Sequence, residues 1–177
     1  MRTFVLMLFT FAMTVSCCRD CELSYSPDII PYPQEISLKR GTVDVSGAAI
    51  CMAEDLDSLS KEYIDAFASD LSKVTAVERG TGRSRICFRM DDSVPSADTI
   101  PFFKENQNYS IEISGRRILV KAGGLNGFIY AVQTLKQMLP VQIYGTEPAP
   151  EADWTLPCCT IKDSPRFGYR GMLLDVS

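Results

Sequence analysis

Two stretches of the sequence repeat apolar residues at steps of three and four, and most of the sequence around them alternates at steps of two. That mixture constrains the fold more than any other feature. In EDLDSLSKEYIDAFASDLSKV, residues 54–74, the residues Leu56, Leu59, Tyr63, Ile64, Phe67, Leu71 and Val74 mark one helical face. Acidic residues crowd its start, where they suit the helix dipole. In GGLNGFIYAVQTLKQML, residues 123–139, the face is Leu125, Phe128, Ile129, Val132, Leu135 and Leu139, and Pro140 ends the helix. Gly127 lies inside its first turns, where glycine costs about 1 kcal/mol against alanine, so close packing against a neighbouring element is expected there.

Strands fill the rest. Ile36 and Leu38 alternate with polar neighbours, as do Val43 and Val45, with Arg40-Gly41 as a turn between two short strands. Ala48 to Met52 is a third strand and SRICFRM a fourth. NYSIEISGRRILVKA is the clearest hairpin, turning at Ser114-Gly115. WTLPCCTIKDSP returns as an extended segment whose place in a sheet is limited by Pro157 and Pro165. The expected fold is α+β, with both helices on one face of a mainly antiparallel sheet. A chain of 177 residues with 46% apolar and 23% charged residues suits one such domain, with room for a fragment of another.

The N-terminus is expected to be cut from this fold. Arg2 precedes an apolar run from Phe4 to Val15, too short to span a bilayer comfortably, and Thr14, Val15 and Ser16 lead into Cys17. Residues 1–16 read as a signal peptide and Cys17 as a lipidation site, which would hold the chain to a membrane outside the cytoplasm. Ordinary secretory cleavage nearby is the alternative. Residues 17–34 read as a tether, with Pro27, Pro31 and Pro33 excluding a helix.

Composition excludes several chemistries. The sequence has no histidine, so a Ser-His-Asp triad, a Cys-His pair and His-ligated zinc are out. Cys18 and Cys21 form a single CxxC in the tether, and Cys158-Cys159 are adjacent rather than spaced, so no zinc set is expected. Cys51, Cys87, Cys158 and Cys159 read as small core residues, and the partners of any disulfide stay open. A net charge of −4 argues against nonspecific nucleic-acid binding; Arg83/Arg85 and Arg116/Arg117 read as solvated charge. Trp154 reads as packing. Nothing calls for a cofactor.

Three stretches in order carry a resemblance: IIPYPQEISLKRGTVDV, YSIEISGRRILVKAGGLNGFIYAVQTLKQML and IKDSPRFGYRGMLLDVS. Together they resemble glycoside hydrolase family 20, the β-N-acetylhexosaminidases, over residues 29–177. The likeness is to the small α+β domain ahead of the catalytic barrel, residues 35–160, and to the first strand of a (β/α)8 barrel, residues 161–177, whose remainder is missing. The resemblance implies retaining hydrolysis of terminal N-acetylhexosamine from glycans, in which the 2-acetamido oxygen attacks the anomeric carbon. An Asp orients that group and a neighbouring Glu protonates the leaving oxygen, outside the usual two-carboxylate scheme. No catalytic residue of that kind is expected in this chain: Glu54-Asp55 has the order reversed and begins a helix. Arg170 matches the family's sugar-binding arginine, whose planar fork suits vicinal hydroxyls. Asp175 matches a family Asp of mainly structural role. The expectation is an N-terminal portion of an exported hexosaminidase, inactive alone. The alternative is a stand-alone, lipid-anchored carbohydrate-binding or scaffold module.

Overall fold

A computed structural model of the chain describes residues 27–91 and 107–166. Six strands and two helices follow in the order β1 (Glu35–Asp44), β2 (Ala49–Met52), α1 (Ser58–Thr75), β3 (Arg85–Met90), β4 (Tyr109–Ser114), β5 (Arg117–Ala122), α2 (Leu125–Met138) and β6 (Thr155–Asp163), with a 3-10 turn at Val141–Tyr144. The acidic residues near α1 do not lie in its first turn. Asp57 is instead the N-cap, its carboxylate accepting from the Ser60 N–H at 2.9 Å and from the Ser60 hydroxyl. The bond to Ser60 holds the Asp57 pKa below its ordinary value. At the other end Ala76 closes α1 in the left-handed conformation, its N–H reaching the Lys73 carbonyl. The 54–74 stripe is buried at Leu56, Ile64, Phe67, Leu71 and Val74, but Leu59 is 60% exposed and leaves the core face.

The six strands form one sheet in the order β1-β6-β4-β5-β3-β2. The sheet is mixed, which corrects the expectation of a mainly antiparallel one. β1/β6, β4/β6 and β4/β5 are antiparallel, whereas β2/β3 and β3/β5 are parallel. The reason is α1: it carries the chain from the end of β2 back to the start of β3, and such a crossover makes its flanking strands parallel. Arg40-Gly41 is also not a turn between strands. Both halves of β1 pair with β6, and the extra residues are absorbed in a register shift between Leu38 and Thr42, where Gly41 adopts φ 104°. Pro157 sits opposite Thr42, beyond the end of the β4 pairing at Cys159, so its missing N–H costs the β4 ladder nothing.

The helices pack against each other, and α2 lies on β4 and β5. Lys136 reaches Asp70 at 3.0 Å and Gln133 donates to the Tyr63 hydroxyl at 2.9 Å across the helix pair. Between helices and sheet lies one core that includes Phe88, Ile111, Ile113, Ile118, Val120, Phe128, Val132, Leu135 and Ile161. Phe88 and Phe128 meet edge-on across it, with centroids 6.1 Å apart. Trp154 is buried and donates from Nε1 to the Ala149 carbonyl at 2.9 Å, which fits its reading as packing. Cys158 and Cys159 are buried as expected. Cys51 and Cys87 are only half-buried and stand outside the core. Two edges of the expected domain move. Ile29 is buried in the core, so the last part of the 17–34 stretch is packed rather than a free tether. β6 runs to Asp163, so residues 161–163 belong to this sheet.

Candidate functional site

Polar chemistry concentrates where the chain enters and leaves this body. Residues Ile29–Gln34 arrive along one side, and residues 163–166 depart along the other. Between them opens a cleft of about 820 Å³, floored by Tyr109 of β4 and by Tyr130, Gln133, Thr134 and Gln137 of α2. The entering segment is fastened to α2 by a reciprocal pair of bonds: the Ile30 N–H donates to Gln137 Oε1 at 2.7 Å, and Gln137 Nε2 donates to the Ile30 carbonyl at 3.1 Å. Gln34 fastens it to the departing chain. Its Nε2 donates to the Ser164 carbonyl at 2.8 Å and to the Ser164 Oγ at 2.7 Å, while its backbone N–H donates to Asp163 Oδ1 at 3.2 Å.

Tyr109 and Asp163 are register partners at the ends of β4 and β6. The Tyr109 hydroxyl donates to Asp163 Oδ2 at 3.2 Å and lies 2.6 Å from the Thr134 Oγ1 of α2. Burial pushes the Tyr109 pKa well above its ordinary value; the Thr134 bond opposes this, and the charge and hydrogen bond of Asp163 add to it. Tyr109 is therefore a neutral hydroxyl and no base. Among the described residues Asp163 is the single carboxylate lining the cleft, and both its oxygens are engaged.

Both oxygens of this carboxylate are committed to structural hydrogen bonds, one to the Gln34 N–H and one to the Tyr109 hydroxyl. Among the described residues there is also no cluster of three or more acids or cysteines able to hold a metal ion, and no helix long and apolar enough to cross a membrane. What the arrangement does is clamp: residues 30–34, β4, residues 163–164 and α2 are tied together. Ile30 and Tyr32, 81% and 60% exposed, leave an apolar lip on it.

Arg170, Asp175 and Cys17, the residues singled out from sequence, lie outside the described residues. Glu54 and Asp55 precede α1 and do not line this cleft. The clamp itself escaped the sequence reading. Its one visible signal is Tyr109, a hydroxyl-bearing ring in the same alternating set as Ile111 and Ile113, which on an apolar face needs a buried partner.

With this geometry in hand, comparison with known proteins adds the family. The sequence profile of "Glycosyl hydrolase family 20, domain 2" matches residues 26–164. The chain is 29% identical over 153 residues to "Beta-hexosaminidase" of Porphyromonas gingivalis, covering 84% of this chain and 18% of that protein. It is 31% identical over 157 residues to "N,N'-diacetylchitobiase" of Vibrio harveyi, covering 86% of this chain and 15% of that one. Among solved structures, the β-N-acetylhexosaminidase of Bacteroides fragilis superposes with a TM-score of 0.54 at 28% identity, over 78% of this chain and 25% of that structure. The chain thus spans less than a fifth of the length of these two curated relatives.

Proposed function

The chain belongs to glycosyl hydrolase family 20, and from that premise we propose that residues 27–166 are the non-catalytic supporting domain of an exported β-N-acetylhexosaminidase. The whole enzyme would remove terminal N-acetylhexosamine from glycans by the substrate-assisted route. The observation that carries this reading is the match of residues 26–164 to the family's second domain, together with a cleft that holds one carboxylate already used as a clamp. The proton donor and the acetamido-orienting Asp then lie outside this domain. No Asp in the sequence is followed directly by Glu, so the neighbouring pair the mechanism needs is outside residues 1–177.

Arg170 is assigned to the sugar: its guanidinium donates to hydroxyls of the terminal residue once the rest of the barrel surrounds it. Asp175 supports that strand. The role of the clamp follows from its place. Tyr109, Asp163, Gln34 and Gln137 fix where the polypeptide leaves the sheet, and so fix the direction in which the barrel begins. Cys17 is assigned as a lipid attachment point from the apolar run ahead of it. Growth in labelled palmitate is expected to label the wild-type chain and not Cys17→Ser; equal labelling of both would remove the anchor.

The experiment for the enzyme reading is to extend the open reading frame past Ser177 and to express the continuous product. An Asp-Glu pair downstream and release of chromophore from an aryl N-acetyl-β-glucosaminide are expected. A continuation without the Asp-Glu pair, with glycan binding by the domain alone, would favour a stand-alone binding module instead.

A further inference from the structure

The sheet face turned away from the helices carries a pair of thiols that a supporting role does not need. β2 and β3 run parallel with Cys51 directly opposite Cys87. Their neighbours Ile50, Met52, Ile86 and Phe88 pack into or against the core, so alternation sends both sulfurs to the other face. Both residues are half-buried and reachable from solvent. Adjacent strands lie about 4.8 Å apart, inside the roughly 4.4–6.8 Å between Cα atoms that a disulfide spans. Burial first, and then the neighbouring Cys51 thiol, raise the Cys87 pKa, and Arg117 and Arg89 pull it back down. β2 is an edge strand of four residues, so it can shift toward β3 without disturbing a ladder on its far side. Cys158 and Cys159 offer no rival pair, being consecutive, buried and inside β6.

We propose that Cys51 and Cys87 form a reversible thiol–disulfide site that staples the β2–α1–β3 crossover. The oxidant is a small disulfide of the glutathione class. The Cys51 thiolate on the edge strand, its proton lost to water, attacks one sulfur of that disulfide. A mixed disulfide forms and one glutathione thiolate leaves. The Cys87 thiolate then attacks the Cys51 sulfur, the cross-strand bond closes and the second glutathione thiolate leaves. Two electrons pass from the cysteine pair to glutathione, and the leaving thiolates take up protons from water. Side chains directly opposite on parallel strands hold their β-carbons farther apart than the roughly 3.8 Å a relaxed disulfide prefers, so the bond is strained and readily reduced.

The test equilibrates the full chain in glutathione buffers from reducing to oxidising, caps remaining thiols and digests with trypsin. Cys51 falls in the peptide 41–61 and Cys87 in the peptide 86–89. A linked species of these two is expected under oxidised glutathione, lost on return to reduced glutathione and absent from Cys51→Ser and Cys87→Ser. Cys87→Ser is expected to hold glutathione on Cys51 instead. Capped but unlinked peptides at every ratio, separate glutathione adducts on both cysteines of the wild type, or a link from Cys51 to any other cysteine would overturn the proposal. None of these outcomes depends on the hydrolase reading.

Discussion

Gly127→Ala gives a test in which two physical effects predict opposite signs. Gly127 is a helical residue of α2, and alanine there would gain about 1 kcal/mol from helix propensity alone. Against that, a β-carbon at Gly127 would stand 2.7 Å from the Asn108 carbonyl oxygen and 2.8 Å from the Ala122 β-carbon. Neither neighbour is the flexible end of a side chain. The Asn108 carbonyl also accepts from the Gly123 N–H at 3.3 Å, so pushing it aside loosens a second bond. Overpacking of this kind costs about 1–3 kcal/mol, and a weakened hydrogen bond about 1 kcal/mol more. The net expectation is destabilisation of about 1–3 kcal/mol. For a chain of this length that lowers Tm by roughly 2–4 °C per kcal/mol. Urea titration of the purified variant measures it, with the slope m unchanged from wild type. A variant more stable than wild type by about 1 kcal/mol would show that propensity wins, and that α2 does not sit as tightly on β4 and β5 as described.

Three further outcomes follow from the same geometry. Asp57→Ala removes the α1 cap and is expected to cost about 1 kcal/mol at neutral pH. Because the folded Asp57 pKa is lowered, the cap's contribution is full above the ordinary value of 3.8 and fades as pH falls through the folded value, so wild type and variant should converge in acid melts. Tyr109→Phe strands the buried Thr134 hydroxyl and is expected to cost about 1–2 kcal/mol, while Tyr109→Phe with Thr134→Val should cost less than the two singles summed, as a double-mutant cycle reports. Lys136→Met breaks the partly exposed pair with Asp70 and the contact of the ammonium with the Tyr144 ring, 6.0 Å from its centroid, and urea titration should show a loss of about 1 kcal/mol.

Sequence alone revealed what depends on periodicity. The faces of α1 and α2, the β4–β5 hairpin and the tight seat of Gly127 follow from spacing that any buried helix or strand must keep. Chain direction is not encoded that way. Alternation in β2 and β3 looks the same in parallel and antiparallel ladders, so the mixed sheet emerged only once α1 was placed as a crossover. Gly41 shows the same limit: a glycine after a charged residue serves a turn or a bulge equally, and only pairing of both halves with β6 decides. Leu59 left the core because the stripe needs one face, and a residue one position off its centre can point outward. The clamp was hidden for a different reason: Gln34, Tyr109, Gln137 and Asp163 are far apart in sequence, and no local pattern links them. The same holds for Cys51 and Cys87, which only the β2–β3 register brings together.

The central claim is that these residues support a catalytic barrel and perform no hydrolysis themselves. Its most direct test is steady-state release of 4-nitrophenol from the N-acetyl-β-glucosaminide and N-acetyl-β-galactosaminide by the purified 177-residue chain. No release above the buffer blank is expected at any enzyme concentration. Saturable turnover that scales with the amount of protein and copurifies with it would contradict the account.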